Sequence, residues 1–137
     1  MMKTVLICVM LALGKLVLAQ ETTTITIEVE NIANDKGQLI LGMYTEDDFL
    51  KTKPYYSQQV KINDGKATVV FKDVPVGEYG ISCFHDVNGN QKMDFEPSGM
   101  PAEDYGVSNN PMLYGPPRWD DAKFQLTKEN NTISIRF

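Results

Sequence analysis

The chain has 137 residues, with 13 basic and 18 acidic side chains and a formal net charge of −5. This acidic balance argues against binding to nucleic acid or to anionic membrane surfaces, and it suits cation binding. The length is sufficient for one domain with a single hydrophobic core.

Residues 1–19 have the pattern of a signal peptide. Lys3 supplies a positive start, residues 5–13 form an apolar run, and residues 17–19 precede a cleavage point ahead of Gln20. The apolar run is too short for a membrane-spanning helix. We therefore expect an exported protein, periplasmic or extracellular and not transmembrane, with a single mature domain over residues 20–137.

Seven segments after residue 20 have the pattern of short β-strands. In residues 24–30 (TITIEVE), apolar and polar side chains alternate, as in a strand with one buried face. The other candidates are residues 38–44, 59–62, 67–72, 79–85, 122–126 and 132–136.

Turn residues between these segments predict how the strands connect. Asn63-Asp64-Gly65-Lys66 is typical of a tight hairpin turn, and residues 128–131 predict a last hairpin. We expect Phe49 and Leu50 to anchor the loop that precedes residue 58. Further expected core residues are Val69, Phe71, Phe124, Leu126, Ile133 and Ile135.

No segment shows a sustained helical period. The pattern therefore predicts an all-β fold, an antiparallel seven-stranded β-sandwich with one long loop between strands five and six, ending near residue 121.

The start of that long loop has the oxygen spacing of a calcium loop. Asp86, Asn88, Asn90 and Asp94 occupy positions 1, 3, 5 and 9 of the calcium-loop pattern, and Lys92 would add its backbone carbonyl. Position 12, where a glutamate normally completes such a site, is proline, so Glu103 or Asp104 would have to fold back. The alternative is that these Asp and Asn residues only cap turns through their own backbone.

The same region resembles a known family, the small exported bacterial proteins grouped as domain of unknown function 2141. The resemblance implies a prealbumin-like (transthyretin-like) sandwich and no established activity. The residues that carry it are Gly77, Tyr79, His85, Asp86, Asn88, Asn90, Asp94, Gly99, Pro101, Glu103, Tyr105, Gly106, Ser108, Asn109 and Asn110.

His85, the only histidine, suggests an alternative function as a small hydrolase or carbohydrate-active enzyme, with Asp86, Asp94 or Glu103 as the partner carboxylate. Asp86 follows directly, and adjacent side chains of a strand point to opposite faces, so Asp86 does not simply orient His85. Cys83 shares a face with His85, but a zinc site needs more nitrogen or sulfur ligands than these two. We expect Cys83 to be a buried small apolar residue.

Aromatic residues in the long loop offer a second kind of binding site. Tyr105, Tyr114 and Trp119 would form a platform for a protein or glycan ligand, alongside His85. Alternatively, they fasten the loop to the sandwich. Together these observations predict an exported binding or structural module with a calcium-binding loop, and a purely structural envelope protein is a third possibility.

Overall fold

The computed structural model describes residues 20–137, so the predicted signal peptide lies outside the described residues. Within this range the chain forms eight strands and one short helix. In chain order they are β1 (Thr22–Glu30), β2 (Gln38–Tyr44), β3 (Tyr56–Val60), β4 (Ala67–Pro75), β5 (Gly77–Asp86), β6 (Tyr105–Val107), α1 (Trp119–Ala122), β7 (Phe124–Leu126) and β8 (Thr132–Arg136).

The strands form two sheets. The three-stranded sheet has the order β4-β1-β8, and the five-stranded sheet has the order β3-β2-β5-β6, with β7 paired to the first residues of β5. All pairs are antiparallel except β1 and β8, which run parallel. The predicted all-β class is confirmed, and the parallel pair departs from the expected antiparallel arrangement.

One hydrophobic core lies between the two sheets. In β1, Ile25, Ile27 and Val29 are fully buried while the intervening residues are exposed or half-buried, which is the alternation that the sequence predicts. The core also confirms most of the other expected residues. Its further members include Leu39, Leu41, Met43, Val69, Phe71, Val74, Tyr79, Ile81, Cys83, Phe124, Leu126 and Ile135, with Ile133 packed at its margin.

A smaller hydrophobic cluster covers the outer face of the five-stranded sheet. It is built on Phe49, Val107 and Ala122, with Tyr44, Leu113 and Trp119 against it. Gly80 makes room for it, because a Cβ at this position would lie 3.0 Å from the Trp119 ring. Phe49 thus anchors its loop as expected, whereas Leu50 is 46% exposed and the expectation for it was wrong.

The tight turn at Asn63–Lys66 forms as predicted, with hydrogen bonds in both directions between the backbones of these two residues. In neither predicted hairpin, however, do the flanking strands pair with each other. β3 pairs with β2 and β4 pairs with β1, so the turn at Asn63–Lys66 carries the chain from one sheet to the other. Likewise β7 pairs with β5, and β8 pairs with β1. A turn signal predicts a reversal of the chain, but the strand then pairs with whichever sheet edge satisfies its backbone groups.

The long loop is more ordered than expected. It contains β6, which pairs with Ser82–Phe84 of β5, and it also contains the four residues of α1. The expected count of seven strands therefore omits β6. Over residues 20–137, no helix has the length and apolar character needed to span a membrane.

Candidate functional site

The Asp/Asn loop begins where β5 leaves the core. Asp86, the last residue of β5, pairs with Gln38 of β2 and is fully buried. Its Oδ2 accepts hydrogen bonds from the Gln91 backbone N–H at 2.9 Å and from Gln38 Nε2 at 3.3 Å. Its Oδ1 has no hydrogen-bond partner, and no other buried side-chain oxygen or nitrogen in residues 20–137 lacks one. An unpaired buried carboxylate oxygen is costly, so it calls for a physical explanation.

Two of the predicted ligands, Asn88 and Asn90, contact a third, Asp94. The side-chain amides of Asn90 and Asn88 donate to Asp94 Oδ1 and Oδ2, each at 2.7 Å. These hydrogen bonds, from Asn90 first and then Asn88, lower the pKa of Asp94 below its usual value of 3.8. The loop therefore turns these three side chains toward one another, and Asp94 favours the ionised form that cation binding requires.

The amide oxygens of the same asparagines hold the loop backbone. Asn88 Oδ1 accepts the Asn90 N–H at 3.2 Å, and Asn90 Oδ1 accepts the Lys92 N–H at 3.1 Å. These are the turn-capping bonds that the alternative interpretation of the sequence predicts. Within the described chain, no three His, Cys, Asp or Glu side chains lie close enough together to hold a metal ion.

Glu103 contacts both ends of this loop. Its Oε2 accepts the Val87 N–H at 3.0 Å, and its Oε1 accepts the Asp94 N–H at 3.1 Å. The sequence suggested that Glu103 folds back toward the loop, and it does so, but its oxygens bind backbone amides.

Gln38 was not anticipated as a neighbour of the site, because nothing in its own strand distinguishes it from an ordinary polar position.

His85 lies in the interior, with 1% of its surface exposed. Its Nε2 is hydrogen-bonded to the Lys36 carbonyl, and its backbone N–H donates to the Asp104 carbonyl at 2.9 Å. The ring therefore joins the end of β5 to the loop that precedes β2. Asp86 and His85 alternate along the strand as expected, and the structure shows no hydrogen bond between them.

The three loop aromatics lie in different environments. Tyr105 is half-buried in β6, opposite Phe84 of β5, whereas Trp119 packs edge-on against Phe49 with ring centroids 5.7 Å apart. Tyr114 is 94% exposed. Trp119 thus fastens α1 to the sheet, as the alternative interpretation of the aromatics holds, and Tyr114 is the ring most available to a ligand.

Ser108 connects three parts of the fold. It is fully buried, its Oγ donates to the Ala122 carbonyl, and the same oxygen accepts the Ile81 N–H at 3.0 Å. The Ser108 N–H donates to the Ile81 carbonyl, also at 3.0 Å. This serine therefore holds β5, the end of β6 and α1 together, which is a structural role.

The two residues that follow Ser108 extend this connection. Asn109 donates to the Lys123 carbonyl at 2.8 Å. Asn110 donates to the Ser134 carbonyl at 3.0 Å and accepts the Arg136 N–H at 2.8 Å, so it pairs with the edge of β8 like a short strand. Both have positive φ, which asparagine tolerates better than most residues. The motif at 108–110 is thus explained by folding.

Cys83 is buried in the core, as expected from the sequence, and its Sγ lies 3.6 Å from the Gly106 carbonyl. Burial raises the pKa of its thiol far above the usual value. A thiol in this state is unreactive at neutral pH.

Comparisons with known proteins agree with the resemblance noted in the sequence. No curated protein and no solved structure matched the chain. The model of one family, described as "Uncharacterized protein conserved in bacteria (DUF2141)", matches residues 27–134, a span that runs from β1 into β8 and includes the whole Asp/Asn loop. The chain therefore belongs to this family of bacterial proteins, DUF2141.

Proposed function

We propose that this protein is an exported binding or structural module of the cell envelope, whose loop over residues 86–94 binds calcium. In this proposal, residues 1–19 direct export, and the two sheets are a rigid support related to the prealbumin-like sandwiches. The eight strands around a single core are compatible with that relationship. The cation stiffens the loop, which is the part of the domain that faces possible ligands.

The buried, unpaired Oδ1 of Asp86 is the observation that carries the proposal. A carboxylate oxygen without a hydrogen-bond donor retains its full capacity to bind a cation, and its burial keeps it out of contact with bulk solvent. Asp86 is also position 1 of the calcium-loop pattern. A turn-capping role explains the hydrogen bonds of Asn88 and Asn90, but it leaves this oxygen without a function.

The spacing around Asp94 supports the same conclusion. Calcium binds six to eight oxygens at about 2.3–2.6 Å, so neighbouring ligands lie roughly 3 Å apart. The side-chain amides of Asn88 and Asn90 already lie 2.7 Å from the Asp94 oxygens. Turning each amide by half a rotation exchanges nitrogen for oxygen at these places. The carbonyl of Lys92 would add a backbone ligand, as at position 7 of such loops.

Calcium must compete with existing hydrogen bonds in the loop, and this competition limits the expected calcium affinity. A cation must displace the two bonds from Asn88 and Asn90 to Asp94, and it must also replace the turn-capping bonds if the amides rotate. We therefore expect a dissociation constant of about 1 mM, the range of extracellular calcium modules. Such a site would be occupied outside the cytoplasm, where calcium is abundant.

The hydrolase alternative finds less support. A general base must be within reach of a substrate and be oriented by a neighbouring group. His85 is enclosed by the fold, and its Nε2 is engaged with a backbone carbonyl. We therefore favour the binding module, with Tyr114 as the aromatic residue most accessible to a protein or glycan partner.

Thermal unfolding with and without calcium tests the proposal. At 10 mM calcium, ten times a dissociation constant of about 1 mM, binding would stabilise the fold by about 1.4 kcal/mol. For a domain of this size the melting temperature would rise by about 5 °C. Excess chelator should remove the increase, and magnesium should give a smaller one. Identical melting temperatures in 10 mM calcium and in chelator would contradict the proposal.

Two variants distinguish calcium binding in the loop from a general effect of calcium on the acidic surface. Asp94→Asn removes a proposed ligand and should abolish the calcium response. Asp73→Asn removes an exposed carboxylate from β4 in the other sheet, and it should leave the response unchanged. If both variants respond equally to calcium, the ion acts on the acidic surface as a whole.

A further inference from the structure

We propose that Glu103 is a positioning residue that sets the cation affinity of the loop, holding the first and the last carboxylate ligands at a fixed separation without binding the ion itself. The inference rests on the proposed calcium site, and it assigns a role to a residue outside the 86–94 pattern.

The geometry of Glu103 singles it out. One carboxylate oxygen accepts the N–H of Val87, the residue after Asp86, and the other accepts the N–H of Asp94. The two distances are 3.0 and 3.1 Å. A single side chain thus bridges the two ends of the loop, where the two acidic ligands lie.

Neighbouring backbone bonds hold Glu103 in this position. The Ala102 N–H donates to the Asp94 carbonyl at 2.7 Å, and the His85 N–H donates to the Asp104 carbonyl at 2.9 Å. The residues before and after Glu103 are therefore attached to the same two ends of the loop. Glu103 is half-buried between them, so its carboxylate is restricted more than that of an exposed glutamate.

The bonding pattern indicates a supporting role. Both Glu103 oxygens already accept a backbone N–H, and hydrogen bonds to an ionised acceptor are stronger than neutral ones. In contrast, Asp86 retains an oxygen without a donor. Residues that orient metal ligands in this way typically change metal affinity by about 10–100-fold when mutated.

Glu103→Gln tests the inference, because it preserves the size of the side chain but replaces one accepting oxygen with an amide donor. That donor would face a backbone N–H, so one end of the loop would be released. Asp104→Asn is the matched control. It removes the same charge one residue away, its side chain is exposed, and the carbonyl bonded to His85 is retained.

Calcium affinity should be measured by titration calorimetry on the wild-type protein and both variants, well below their melting temperatures. We expect Glu103→Gln to weaken binding at least tenfold and Asp104→Asn to weaken it less than threefold. In the calcium-free protein, hydrogen exchange in Glu103→Gln should accelerate at the amide of Val87 or of Asp94, whichever loses its acceptor, but not in the core strands. Saturating calcium should restore the protection of that amide, which a general loss of structure would not allow.

The outcomes separate the two proposals. If the wild-type protein binds calcium and the two variants weaken it equally, the effect is one of charge, and the positioning role is wrong while the calcium site stands. Exchange that is unchanged at both Val87 and Asp94 would also overturn the positioning role. If the wild-type protein does not bind calcium at all, the proposed function fails and this inference fails with it.

Discussion

Gly37 lies directly against Asp86. A Cβ atom on Gly37 would come within 2.0 Å of the Asp86 carbonyl oxygen and within 2.8 Å of the Val87 backbone. Gly37 also has a φ of +64°, in the region that glycine adopts without strain. The turn that precedes β2 therefore packs onto the first residue of the candidate site. Gln38 donates a hydrogen bond to the same residue, and the Lys36 carbonyl is hydrogen-bonded to the preceding His85.

The Gly37→Ala variant should lose both stability and the calcium response. A methyl group cannot rotate away from a backbone oxygen at 2.0 Å, so the end of β5 or the turn must shift. We expect a loss of about 3 kcal/mol or more, measured by urea unfolding without calcium.

Gly89→Ala is the control for this variant. Gly89 has a similar φ of +70° but no atom within 4 Å of the added Cβ. The Gly89→Ala variant should lose only about 1–2 kcal/mol of unfolding free energy, because the positive φ strains the alanine backbone. Equal losses in the two variants would show that strain alone matters and that the contact between Gly37 and Asp86 is unimportant.

Ser108→Ala should destabilise the fold without changing the loop. The variant leaves the Ile81 N–H and the Ala122 carbonyl without their partner, at a cost of about 1–3 kcal/mol for a buried group. Ser134→Ala, at an exposed position of β8, should change the free energy of unfolding by less than about 0.5 kcal/mol. Calcium affinity should be equal in both variants, and a specific loss in Ser108→Ala would show that the 108–110 motif belongs to the binding site.

The acid dependence of stability should reveal the ionised state of Asp94. Its pKa is lowered by hydrogen bonds that exist only in the folded protein, so its stabilising contribution is complete above its ordinary pKa of 3.8. That contribution is lost as the pH falls through the lower, folded pKa. In calcium-free protein, the stability difference between wild type and Asp94→Asn should be constant from neutral pH down to about pH 5 and shrink below that.

A carboxyl ¹³C titration of Asp94 gives the direct measurement. The midpoint should lie below 3.8 in wild type. It should move upward when Asn90 is replaced by alanine, because the Asn90 amide is the largest cause of the shift. A midpoint at or above the ordinary value would mean that the two asparagines do not donate to this carboxylate in solution.

The sequence predicted most strands because alternation reflects burial directly. Residues such as Ile25 and Ile27 face the core in the sheet register that their spacing implies. Strand partners were not predictable in this way. β8 has the pattern of any half-buried strand, and nothing in Ile133 or Ile135 specifies β1 as its parallel neighbour. Turn signals such as Asn63–Lys66 fix the reversal of the chain but not the sheet that the chain enters next.

The proposed ligands of the candidate site were predictable from the sequence, whereas the residues that hold those ligands in place were not. The spacing of Asp86, Asn88, Asn90 and Asp94 is local, so the sequence contains it. The contacts of Gly37, Gln38 and Glu103 join segments far apart in the chain, and they arise only when β2, β5 and β6 assemble. The packing of Trp119 was not predictable for the same reason, because it depends on the space that Gly80 leaves on the distant strand β5.

Backbone amide NMR during a calcium titration shows residue by residue whether a cation binds the loop over residues 86–94. We predict saturable shifts confined to residues 86–94 and to their contacts at Gln38 and Glu103, with one ion per chain and a midpoint of about 1 mM. Shifts that spread over all acidic surfaces and rise without saturation, or no shifts at 10 mM calcium, would contradict the account.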